Sequence, residues 1–206
     1  MQAGGTITPA RRQPSRVVER GAGTGAAQMG PGCGSVRVVK GANSLIREHM
    51  PATYFGEYQE LRARLMERLS DEDLAFTPGE GALTLGALCR EIGDVELSYV
   101  KSFRTFTQTF SNVTTDPRLE TSVAALVAWY AELDRDLLAA VADLSEDDIR
   151  SRRIVRGDFS EEFFSPLPAV QLDIYREALL IFYAKVSIYL RVMGRPLPGI
   201  WSDWIG

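Results

Sequence analysis

A single histidine, His49, is all the imidazole this 206-residue chain carries. That scarcity excludes a metal centre or an acid–base device built from several histidines. The two cysteines, Cys33 and Cys89, are too few for a disulfide framework, so a reducing compartment, the cytoplasm, is expected. No apolar run is long enough to cross a bilayer. The best stretch, Ala178 to Met193, is broken by Lys185, Ser187 and Arg191, which removes the membrane from the expected partners. Nowhere does a period-two alternation run long enough to propose a sheet.

Charge is present but unevenly spread. Residues 1–48 hold seven basic side chains against Glu19 and Glu48. Taking these from the 23 basic and 27 acidic residues of the chain leaves 16 and 25 for residues 49–206, a net charge of −9. Phosphate contacts supply most non-specific nucleic-acid affinity, so an acidic body argues against nucleic acid as a partner.

Residues 1–42 contain nine of the 18 glycines and show no sustained period. Such a segment buries too little apolar surface to offset its ordering entropy, and a disordered tail is expected. The run Gly21-Ala-Gly23-Thr-Gly25-Ala26 fits G-x-G-x-x-A, but Met29-Gly30-Pro31-Gly32 breaks the helix a dinucleotide fingerprint needs. Part of the tail is also open to being an over-extended start, with the true one near Val38, Val39 or Met50. Residues 43–206 form the expected folded domain.

Four helical stripes follow. The first spans roughly 52–69, with Tyr54, Tyr58, Leu61, Leu65 and Leu69 on one face. The second spans roughly 84–106 on Leu85, Leu88, Ile92, Val95, Tyr99, Phe103 and Phe106. Glu96 projects to the edge of that stripe, with Glu91 and Asp94 further round, and a carboxylate at a core edge needs a partner. The third starts near Thr121 or Ser122 and runs to about Leu144, where Ser145-Glu-Asp-Asp148 ends it or opens a short turn. Residues 150–166 read as a long crossover. The fourth runs from about Pro168 to Met193 on Tyr175, Leu179, Phe182, Val186 and Tyr189, with Gly194 and Pro196 as stop signals. Matched apolar faces on helices of this length describe an all-α four-helix bundle.

Several phrases resemble those of the DinB/YfiT-like four-helix-bundle family. They are LTLGALCREIGDVE (83–96), the preceding LSDEDLAFTPGEGA, the weaker LLAAVADLSEDDI, and YLRVMGRPLPG near the C-terminus. The resemblance covers about residues 45–200. It implies a bundle of the DinB type, whose members commonly hold a divalent metal with one histidine on the second helix and two at i, i+4 on the fourth. Some use the metal to activate a low-molecular-weight thiol for S-transfer or isomerisation, and others are known as stress-induced proteins. Counted from Asp94-Val95-Glu96 and from Gly194, the ligand positions of the family fall here on Glu91, Ala178 and Phe182. Two of the three cannot ligate a metal, so this chain departs from the family at its chemistry.

The expected function is therefore a metal-free, stress-associated bundle that binds a small ligand or a protein, as a homodimer and without a cofactor. The tyrosines Tyr54, Tyr58, Tyr99, Tyr175 and Tyr189, with Phe182, either line a pocket for a flat apolar ligand or fill the volume an ion would occupy. The alternative is an enzyme: a thiol-dependent S-transferase, or a hydrolase in which Glu91 joins Asp173 and Glu177 around a hard divalent ion. A solvated polar face explains Asp173 and Glu177 equally well. Cys89 reads as a small buried residue rather than a nucleophile, and His49 as a surface residue. Trp201 and Trp204 are placed to cap the bundle end or to join a dimer interface.

Overall fold

The computed structural model describes residues 52–111, 113–157, 164–199 and 201, with side chains from Gly56 onward. The tail, His49, Cys33, Trp204 and the side chain of Tyr54 lie outside the described residues. All described residues belong to the compact unit Val39–Gly206.

The helices are α1 (Ala52–Met66), α2 (Leu85–Thr105), α3 (Val123–Ala142), the short α4 (Glu146–Ser151) and α5 (Pro168–Val192). Helix α1 stops three residues before the stripe predicts. The Asp73 carboxylate accepts from both the Ser70 amide (2.9 Å) and the Ser70 hydroxyl (3.1 Å), drawing the chain into a 3-10 turn at Glu72–Ala75. Thr84 caps α2 by accepting from the Ala87 amide. Its last turn ends at Thr105, because Phe106 adopts a left-handed φ of 58° that no helix continues. Ser122 caps α3, assisted by the Asp71 carboxylate, which accepts from the Val123 amide at 2.7 Å. Ser145 and Asp148 form a reciprocal capping box that opens α4, so the Ser-Glu-Asp-Asp run is a helix start. Pro168 opens α5. Gly194, at φ 68°, closes it in a Schellman arrangement with Arg195 bonded back to the Leu190 carbonyl.

Packing brings α2 against α3 and α5, and α1 against the same two helices. Around the bundle the order is α1, α3, α2, α5, with α1 and α2 diagonal across the axis. The four stripes meet in one core containing Leu65, Leu85, Cys89, Leu126, Tyr175 and Val186, all fully buried. This is the all-α four-helix bundle the sequence predicts. Among the described residues no helix is long and apolar enough to cross a membrane.

One feature departs from the expectation of no sheet. Strand β1 (Thr107–Gln108) pairs in parallel with β2 (Val155–Arg156). Two residues a strand leave no periodicity to read. The ladder exists because the left-handed turn at Phe106 aims the chain at the crossover, where Val155 donates to the Phe106 carbonyl.

Candidate functional site

Between helices α2 and α5 lies a half-open groove of about 150 Å³. Its α2 wall is Leu88, Glu91, Ile92 and Val95, and its α5 wall is Ala178, Ile181, Phe182 and Lys185. The three positions singled out in the sequence, Glu91, Ala178 and Phe182, are thus brought together. Most of the lining is apolar, and charge is confined to the exposed Glu91 and Lys185.

These residues do not fit a metal. Ala178 and Phe182 offer no donor atom, and a lone carboxylate makes no tight transition-metal site. The hard-ion set of Glu91, Asp173 and Glu177 does not assemble either. Asp173 is exposed and paired with Arg176 at 3.0 Å, and Glu177 is exposed. Among the described residues no three His, Cys, Asp or Glu side chains gather closely enough to hold an ion.

The aromatic set also differs from the pocket considered above. Of its described members, Phe182 alone lines the groove; Tyr58, Tyr99, Tyr175 and Tyr189 are buried core residues. Tyr99 and Tyr175 lie against each other with ring centroids 4.9 Å apart. The Tyr189 hydroxyl donates to the Leu83 carbonyl, and the neighbouring Tyr183 hydroxyl to the Tyr58 carbonyl. These rings fill space instead of surrounding it. Trp201 is fully buried, with its indole N–H on the Leu61 carbonyl and its ring against Tyr183, so it caps the bundle end. Cys89 is buried, and burial pushes its thiol up to about 12, which removes it as a nucleophile at neutral pH.

On the bundle axis lies a cluster that the sequence reading half found. Glu96 of α2 is fully buried, and its partner is Arg62 of α1, whose guanidinium donates to Glu96 Oε2 at 2.5 Å. The same guanidinium forks to Asp134 Oδ1 of α3 at 2.5 Å and lies 4.0 Å from the centroid of the Tyr130 ring. Gln59 also donates to Asp134, at 2.6 Å. Two carboxylates share one guanidinium, and Glu96 Oε1 is buried without a hydrogen-bond partner. Burial pushes the Glu96 carboxyl up to about 7 against the pull of Arg62, and the Asp134 carboxylate adds to the rise. For Arg62 burial works against the charge, but Glu96 and the surrounding oxygens outweigh it and hold the guanidinium firmly protonated.

Arg62 and Asp134 went unnoticed in the sequence, yet a signal was there. At 100° per residue, Arg62 lies about 40° from Tyr58, and Asp134 about 40° from Tyr130, each on an apolar stripe. Charges on two stripes, with Glu96 on a third, point to mutual pairing in the core. A second buried network, Ser98, Ser102, Gln108 and Gln171, lies beneath the β1–β2 ladder, with Gln171 donating to Gln108 at 2.7 Å. Its long-range pairing left no local trace.

A family model described as the DinB superfamily matches residues 56–172, from the first turns of α1 to the start of α5. The match ends before Ala178 and Phe182. No curated protein matches the chain.

Proposed function

We propose that this chain, which belongs to the DinB superfamily, is a metal-free binding scaffold whose α2–α5 groove takes a small, largely apolar ligand. One observation supports the reading: Glu91, Ala178 and Phe182, on which counting along the sequence puts the ligand positions of the family, line one groove, and only Glu91 among them carries a donor atom. A space of about 150 Å³ admits a group the size of a single ring. Lys185 at the rim suits a ligand with an anionic end, and Glu91 disfavours a second negative charge. The reading carries with it the stress association of the family and a cytoplasmic setting.

No observation favours the enzymatic alternative. An S-transferase of the family's kind activates its thiol with a metal, and the donors for one are not in the groove. The carboxylate hydrolase requires a trio that does not gather.

The test has two parts. Untagged protein purified from its own host without chelators is assayed for metal by mass spectrometry; about one transition-metal ion per chain would overturn the metal-free part. Small aromatic carboxylates are then screened by thermal shift against the wild-type chain and Ala178→Trp, which fills the groove. Shifts seen in the wild type and lost in the variant support the site, and equal shifts in both refute it.

A further inference from the structure

Among the described arginines, Arg62, Arg90, Arg156 and Arg176 are drawn back from solvent. Arg62 pairs with Glu96 and Asp134, Arg90 with Asp94 and Glu120, and Arg176 with Asp173. Arg156 makes no ion pair with a carboxylate among the described residues. Its neighbours are neutral: Nη2 donates to Gln171 Oε1 at 3.2 Å, the Tyr99 hydroxyl lies beside it, and the guanidinium stands 5.7 Å from the centroid of the Phe164 ring. Glu177, which also acts on Tyr99, is exposed and does not pair with Arg156. The Arg156 Nε is buried and has no hydrogen-bond partner. A sheltered cation without a counter-charge is costly, and an unused charged donor adds to that cost.

The fold holds this guanidinium in place. Strand β2 sets Arg156 against Gln108 of β1, and the Gly157 amide donates to the Gln108 carbonyl at 2.9 Å. The Gln171 amide nitrogen donates to Ser102 at 3.2 Å and to Gln108 at 2.7 Å, which fixes its oxygen toward Arg156. Two apolar rings stand exposed around the same place. Phe164 is 44% exposed next to the guanidinium, and Phe110 is 40% exposed, edge-on to Tyr99 with ring centroids 6.3 Å apart. Residues 150–157 hold Arg150, Arg152, Arg153 and Arg156 and no acidic residue. Such a run raises the local potential on an otherwise acidic body and attracts multiply charged anions most.

We propose that Arg156 anchors an anion site at the β1–β2 end of the bundle, which takes a phosphate monoester carried on a flat ring. The guanidinium supplies donors in a planar fork, and the phosphate supplies the counter-charge that the chain does not. Phe164 and Phe110 give the ring apolar faces to lie against. The site is separate from the α2–α5 groove, whose walls include neither Arg156 nor these phenylalanines, and it does not rest on the reading of that groove.

The experiment is a titration of the full chain with phenyl phosphate at constant ionic strength, followed by phosphorus NMR. Inorganic phosphate is titrated in the same way, and benzoate is measured by displacement. The wild type is expected to bind phenyl phosphate at least about fivefold more tightly than either. Arg156→Gln should weaken binding at least about tenfold, and Arg156→Lys by less, since the charge stays and the fork is lost. Phe164→Ala, at an exposed position that folding does not need, should bring phenyl phosphate down to the level of inorganic phosphate. Ala178→Trp should bind as the wild type does. A wild-type chain that binds no phenyl phosphate overturns the proposal, as does binding indifferent to Arg156→Gln in a variant whose circular dichroism stays helical. Binding lost in Ala178→Trp places the anion in the groove and overturns a separate site. Benzoate as tight as phenyl phosphate overturns the phosphate, and inorganic phosphate as tight overturns the ring.

Discussion

Arg62 is the most demanding residue in the molecule. It is a guanidinium with essentially no access to water, satisfied by two carboxylates and the face of an aromatic ring. Taking two charges out of water costs several kcal/mol each, and mutual attraction repays this only when every partner stays in place. Arg62→Met should therefore lose about 3–5 kcal/mol of stability, since it leaves Glu96 buried beside Asp134 with no cation. Urea unfolding measures this, and a loss under about 1 kcal/mol would mean that water reaches the cluster in the native state. The cluster was partly readable from residue type and period. Glu96 at a stripe edge announced a missing partner, but nothing local says that the partner stands on the diagonal helix. Glu91, Ala178 and Phe182 present the opposite case. Counting along two helices was enough to converge them on one groove, because α2 and α5 are neighbours in the bundle.

At the scale of elements, caps and stops decided where the helices end. Thr84, Ser122, Ser145 and Gly194 each act at the position where their side chain or backbone freedom is needed. The signals at Ser122 and Gly194 were legible because capping is chemistry between residues a few positions apart, whereas the Ser145 run was read as an end or a turn and proved to open a helix. The early stop of α1 was not read, although the Ser70–Asp73 contact behind it is local, and the two-residue ladder was not, since it depends on a contact distant in sequence. Gly86 shows how such a contact constrains an element. A Cβ built there would stand 2.0 Å from the Glu120 carbonyl oxygen, so α2 can meet the 3-10 turn at Pro117–Glu120 only with no side chain in the way. Gly86→Ala should cost roughly 1–3 kcal/mol, against the helix-propensity gain alanine usually brings. Gly79→Ala, where nothing lies within 4 Å, serves as the control. Equal chemical-denaturation midpoints for the two variants would refute this reading of the close approach.

Across the whole molecule the axial cluster makes stability depend on pH. Glu96 has a carboxyl pushed from 4.5 to about 7 by burial, so the folded chain keeps a proton that the unfolded chain releases over that window. Its contribution is fully present below pH 4.5 and is lost as pH rises through about 7. The slope reaches at most about 1.4 kcal/mol per pH unit for one proton. Unfolding free energies measured from pH 5 to pH 8 should fall faster for the wild type than for Glu96→Gln, which cannot titrate. Parallel curves would sink the assignment to Glu96.

The sequence by itself determined the class of fold, the four stripes and most helix ends. Each of these depends on residue type and on a spacing of a few positions, and a linear chain displays both. Only the tertiary structure decided that Arg62, Glu96 and Asp134 share the bundle axis, and that most of the candidate tyrosines fill the core instead of lining a cavity. It alone left Val170, Ile181, Ile188 and Val192 of α5 exposed. These facts depend on which helices are diagonal and which are adjacent, and that order is set by packing all four stripes into one core at once.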